Sequence, residues 1–140
     1  MIVQSARRED LEGIVELNRL FHLDMPDFIW DTPAYVAKHL DEYHVLRDAS
    51  GRLAGAMCLL LEGDACVIET LAVRSQGRGI GSALVDFARE YAREHCAREL
   101  TVESFCELGV SGFYERCGFT KDTELGIYGE KPYDRFSMNV

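Results

Sequence analysis

Apolar positions along the first part of the chain recur at helical spacing. After a strand-like start at Ile2 and Val3, Arg8-Glu9-Asp10 leads into Leu11, Ile14, Val15, Leu17, Leu20 and Phe21, which predicts a first helix. Asp24 to Pro33 holds two of the three prolines and reads as a loop, with a second helix from about Ala34 to Asp41. The period then shortens. Val45-Leu46-Arg47, the turn residues Asp48-Ala49-Ser50-Gly51 and the run Leu53 to Leu61 predict two antiparallel strands. Glu62-Gly63-Asp64 turns the chain into a third long strand, Ala65 to Val73. From Gly81 to Cys96, Leu84, Val85, Phe87, Ala88 and Tyr91 alternate with Arg89, Glu90, Arg93 and Glu94 as in an amphipathic helix. Leu100-Thr101-Val102 reads as a strand, Val110 to Cys117 as a short helix ended by Gly118, and Phe136 to Val140 as a last strand. The pattern is mixed α+β, a meander with one sheet face ready for helices. With 140 residues and no repeat or linker, one domain is expected.

Composition adds little except through charge. At 47% hydrophobic and 28% charged residues the chain reads as an ordinary globular protein. A formal charge of -9 argues against a nucleic-acid partner, which needs an excess of Lys and Arg. An anionic cofactor would then be held by local backbone N–H groups, and an acidic surface suits a cationic acceptor. Cys58, Cys66, Cys96, Cys106 and Cys117 form no Cys-x-x-Cys, and His22, His39, His44 and His95 show no metal spacing. Neither a disulfide framework nor a metal is expected, and the histidines read as surface or helix-face residues. No segment has transmembrane length and the N-terminal stretch lacks a long apolar run, so a cytoplasmic protein without membrane attachment is expected.

Chemistry concentrates where the strand ending Leu71-Ala72-Val73 runs through Arg74-Ser75-Gln76-Gly77-Arg78-Gly79-Ile80-Gly81-Ser82 into a helix. Three glycines within five residues are costly in chain entropy. They make sense where backbone must approach a ligand closely, leaving amides at a helix N-terminus free for phosphate oxygens. A plain strand-to-helix turn remains an alternative, although one glycine would serve it. An ATP or GTP loop is poorly matched, since no Gly-Lys-Ser/Thr follows. Gly77-x-Gly79-x-x-Ser82, with Glu103 on a later strand, comes closer to a dinucleotide fingerprint. That motif, however, falls mid-chain after an antiparallel meander.

Gln76-x-x-Gly79-x-Gly81 after Leu71-Ala72-Val73 resembles the acetyl-CoA signature of the GNAT superfamily of N-acetyltransferases. Phe113-Tyr114-Glu115-Arg116-Cys117-Gly118-Phe119 resembles that family's Phe-Tyr-Glu-x-x-Gly-Phe segment. The pattern covers roughly residues 1 to 140 and is most specific from Ile68 to Leu84 and at the second segment. The resemblance implies a mixed, mainly antiparallel central sheet flanked by helices, acetyl-CoA as acyl donor, no metal, and an amine acceptor that is a small molecule or a protein. Backbone groups of Leu71, Ala72 and Val73 would hold the pantetheine arm and thioester carbonyl. Gln76, Gly77, Arg78, Gly79, Ile80, Gly81 and Ser82 would wrap the pyrophosphate, with Arg78 and Arg74 as possible added charge. The turn between Val73 and Gln76 is shorter than in many relatives. Similar proteins are often dimers, and the strand around Phe136 is a candidate contributor to a homodimer.

By the same resemblance Tyr114 stands near the CoA sulfur as general acid, the alternative being a core tyrosine. Glu69 shares a strand face with Leu71 and Val73 and is the candidate base, directly or through water. A salt-bridged strand glutamate is the plainer reading, and Glu103 is a second candidate. Glu107 replaces an asparagine frequent in the family seven residues before the tyrosine, either binding a cationic acceptor or lying exposed. Acceptor choice falls to Phe21-His22 through Tyr35, where Phe28, Trp30 and Tyr35 beside Asp24, Asp27 and Asp31 suit an amine. Capping of the core by Phe28 and Trp30 accounts for them equally well. A non-catalytic CoA-binding module is the competing function, and Tyr114 separates the two.

Overall fold

A computed structural model describes residues 2–140 and divides them into two compact units. One comprises residues 2–59 and Thr70–Phe87, the other Leu60–Glu69 and Ala88–Val140. The chain therefore passes between units within a third strand, a fourth strand and the helix after it.

In the first unit, β1 (Val3–Ser5) pairs antiparallel with β2 (Tyr43–Arg47), and β2 with the opening of β3 (Leu53–Glu62). Tyr43, His44, Val45 and Leu46 are consecutive and all buried, so this strand is covered on both faces and shows no alternation. The expectation of surface or helix-face histidines fails at His44, whose ring lies 4.9 Å from that of Phe87. Helix α1 (Leu11–Arg19) buries Ile14, Val15, Leu17 and also Asn18. Its entry is fixed by Asp10, which accepts from the Arg7 amide at 2.8 Å and from Arg47 at 2.7 and 2.8 Å. Helix α2 (Pro33–Lys38) starts on the Thr32 cap, with proline in the first turn where its missing N–H costs nothing, and ends sooner than expected.

In the second unit, the start of β4 (Ala65–Val73) pairs parallel with β5 (Glu99–Phe105), in register Cys66↔Leu100 and Ile68↔Val102. Between them the chain forms α3 (Ile80–Glu94), as a parallel pair requires a long crossover. β5 pairs antiparallel with β8 (Lys131–Asn139) along its whole length. The other edge of β8 takes β6 (Thr120–Lys121) and β7 (Gly126–Tyr128). Helix α4 (Ser111–Arg116) follows a short 3-10 turn. Cys66, Ile68, Leu100, Val102, Phe119 and Phe136 form the core here.

The class is α+β with a mixed, mainly antiparallel sheet and helices, as expected. The parallel doubly wound sheet that the dinucleotide reading required is not present, because the strands of the meander run antiparallel. The last strand begins five residues earlier than expected. Phe136 is fully buried, on a strand paired with β5 along one edge and with the short β6 and β7 along part of the other.

Candidate functional site

In the first unit, β4 ends with Ala72 buried and Leu71 and Val73 partly exposed. The Arg74 amide donates to the Ala54 carbonyl at 2.8 Å, holding the strand end to β3. Ser75 through Gly79 are then exposed. Gly77 (φ 77°) and Gly79 (φ 75°) occupy left-handed backbone, which alone accounts for glycine at both places. Gly81 differs. It is the second residue of α3, and no positive φ calls for glycine there.

The Ala83 amide closes onto the Gly79 carbonyl at 3.0 Å, so the amides of Ile80, Gly81 and Ser82 precede the first i→i−4 bond of α3. No acidic residue stands in that first turn, leaving the positive end of the helix dipole uncompensated in an acidic protein. Such a turn has open amides and a positive dipole end, the features an anion needs. Gly55 on β3 makes this possible. A Cβ there would lie 2.9 Å from side-chain carbons of Ile80 and Leu84, so its absence lets α3 settle on the strand. Sequence reading missed Gly55, whose only signal was a glycine inside a strand pattern.

The two arginines separate. Arg74 is committed to its own unit, donating through Nε to the Leu53 carbonyl at 3.0 Å and pairing with Glu16 at 2.8 Å. Those bonds and the neighbouring Arg52 hold the Glu16 carboxyl below its ordinary range. Arg78 is exposed and pairs with nothing among the described residues.

The segment between α1 and α2 is well organised. Phe28 stands edge-on to His22 (4.7 Å) and to Trp30 (5.2 Å), with both Phe28 and Trp30 half-buried. Asp31, expected in an acidic wall, is buried and bound to His22 Nδ1 at 2.7 Å, while Asp24 and Asp27 are exposed. Asn18 Nδ2 donates to the Trp30 carbonyl at 2.9 Å. The sequence signals Asn18 only as a polar residue in the apolar stripe of α1, and His22 opens the acceptor segment with no sign of its bond to Asp31.

In the second unit Tyr114 is 5% exposed and enclosed by the rings of Phe113 (5.1 Å), Phe136 (5.2 Å) and Phe119 (5.7 Å). Burial, and secondarily the Cys117 thiol, push its phenol well above the ordinary tyrosine range, so it stays protonated at any working pH. Gly118 (φ 103°) ends α4, and Arg89 donates to the Cys117 carbonyl at 2.8 Å, satisfying one open carbonyl of that end.

Glu69 is half-buried on β4, and Glu103 is on β5 one residue beyond the Ile68↔Val102 pair. Partial desolvation raises the Glu103 carboxyl; Arg135 opposes this, and the negative charges of Glu69 and Glu62 add to it. Glu107 is exposed and accepts from Lys131 Nζ at 2.7 Å. Asp134, buried, accepts from Ser111 Oγ at 3.1 Å and from the Cys106 thiol at 3.6 Å. Desolvation and this carboxylate push the Cys106 thiol up, away from nucleophilic use. Among the described residues, no helix is long and apolar enough to cross a membrane.

Comparison with known proteins agrees with this fold. Uncharacterized protein YxbD of Bacillus subtilis is 28% identical over 102 residues, and Glucosamine 6-phosphate N-acetyltransferase 1 of Oryza sativa is 32% identical over 90. These alignments take in 72% and 57% of the chain but only 64% and 53% of the relatives' own lengths. Rv2747 from Mycobacterium tuberculosis, crystallised with CoA, superposes over 99% of both chains with a TM-score of 0.78 at 20% identity. The profile of the acetyltransferase (GNAT) family matches residues 11–119, across the glycine turn and the Tyr114 segment, and the chain belongs to that family.

Proposed function

We propose that residues 1–140 act as a single N-acetyltransferase domain that moves the acetyl group of acetyl-CoA to a primary amine. The observation carrying this reading is the first turn of α3, with glycine at helical position 81 and no acid to balance the dipole. Glycine is a poor helix former, and its lack of a side chain would let a phosphate come close to the backbone. Amides from Gly77 to Ser82, with Arg78, would take the pyrophosphate, and main-chain groups of Leu71, Ala72 and Val73 the pantetheine amides and thioester carbonyl.

In the reaction the neutral amine attacks the thioester carbonyl carbon, and the C–N bond forms as the C–S bond breaks. The amine's proton goes to Glu69 or to water, and the departing thiolate takes the Tyr114 phenolic proton. Burial keeps the Tyr114 hydroxyl in place as a hydrogen-bond donor to the departing sulfur, while the same burial disfavours the phenolate that full proton transfer would leave. Phe28 and Trp30 would receive the acceptor's cationic amine by cation–π attraction. Glu107, beside Lys131, would set its polar rim.

The aromatic enclosure of Tyr114 also favours a second reading, in which the ring is only core and the protein binds CoA without turning it over. Thermal unfolding with acetyl-CoA, and in parallel with NAD and NADP, tests the first step. At about 100 times its dissociation constant a ligand adds roughly 2.7 kcal/mol. A shift with acetyl-CoA alone supports the site, and its absence sinks it. Turnover is then read by CoA release with spermidine, glucosamine 6-phosphate, glutamate and an alanine-initiated peptide. Binding without release by any amine favours the second reading.

A further inference from the structure

Helix α1 places Asn18 in its apolar stripe, one turn after Ile14 and beside Leu17, both fully buried. An apolar side chain would serve packing better there. Asn18 is 5% exposed, and its Oδ1 is buried with no donor among the described residues, an arrangement that costs stability. Its Nδ2, in return, makes two bonds at once. One goes to the Trp30 carbonyl at 2.9 Å, and the other to the Tyr43 hydroxyl at 3.0 Å. That hydroxyl also accepts from Thr70 Oγ1 at 3.1 Å. A buried chain of polar groups thus runs from the loop that presents Phe28 and Trp30, through α1 and β2, to the residue of β4 immediately before Leu71. A local rule broken inside a helix stripe, with bonds that tie one loop to the sheet, is the mark of a positional requirement.

We propose that Asn18 is a positioning residue that fixes Trp30 for the acceptor and holds it to β4 through Tyr43 and Thr70. The role for the acceptor rests on the acetyltransferase reading above; the hold on Trp30 does not.

Trp30 is the only tryptophan, so its fluorescence reports this loop without any ligand. In the full chain, Asn18→Leu should raise the acrylamide quenching constant of Trp30 about two-fold, as expected of a loop released from its tether, with the far-UV spectrum unchanged. Tyr43→Phe and Thr70→Val should raise it less, and Thr70→Ser, which keeps the hydroxyl, not at all. Should Asn18→Leu fail to fold, Tyr43→Phe carries the same reading. With the best amine of the panel above, Asn18→Leu should raise the acceptor KM about ten-fold while kcat and the acetyl-CoA KM hold, the pattern of lost orientation on one substrate. Unchanged quenching, or equal loss in all three kinetic parameters, overturns the proposal. Loss of the acetyl-CoA thermal shift in the unaltered protein instead sinks the acetyltransferase reading and leaves the quenching result standing.

Discussion

Removing the Tyr114 hydroxyl leaves the ring that fills the space among Phe113, Phe119 and Phe136. Tyr114→Phe should therefore keep its melting temperature and acetyl-CoA shift while kcat falls about 10²-fold, read by CoA release. A second prediction concerns thiols. Burial raises Cys66 from 9.0 to about 11, so the native state favours the protonated thiol. Its contribution to stability is complete below pH 9 and is lost as pH rises through 11. Urea midpoints should fall across that interval and fall less in Cys66→Ala. At pH 8.5 iodoacetamide should label exposed Cys96 first, leaving Cys58 and Cys66 to react only on unfolding, as peptide mapping would show. At this scale the sequence displayed Tyr114 and the glycines plainly, because each sits in a local pattern. Asn18 and His44 escaped it because their environments are made by residues 12 and 43 positions away along the chain, Trp30 and Phe87.

Among elements, the first turn of α3 offers a test with opposite signs. Gly81→Ala should leave the free protein as stable or slightly more stable through helix propensity and at the same time weaken acetyl-CoA, a pairing that a purely structural glycine would not give. Gly79→Ala, forced into left-handed backbone, should lose about 1 kcal/mol or more as well as the ligand. Thermal melts with and without acetyl-CoA separate the two. The long elements were legible from periodicity, but β6 and β7 were not, since two and three residues carry no period. The start of β8 was hidden by its content. Lys131, Pro132, Asp134 and Arg135 look like a turn, yet Pro132 lies opposite Ile127 in the middle of the short β7 pairing and Asp134 is buried and bound by Ser111.

For the molecule as a whole, the charge of -9 opposes an anionic ligand at long range, while the phosphate site proposed at the α3 turn would act at short range. Raising salt from about 0.05 to 0.3 M screens the first more than the second. Acetyl-CoA affinity measured by calorimetry should hold or improve over that range, the reverse of what a basic phosphate-binding protein shows. The charge and the order of elements were readable from the chain, whereas its division into two interleaved units was not, because that depends on which distant strands meet. β5 has β4 on one edge, but its other edge finds its partner only in β8, which pairs residue 99 with residue 139 and residue 105 with residue 133. During synthesis from the N-terminus, then, Leu100 and Val102 emerge from the ribosome well before the strand that will cover them. The nascent second unit carries an open apolar strand edge until Lys131–Asn139 has followed, and that interval is when a chaperone has something to hold.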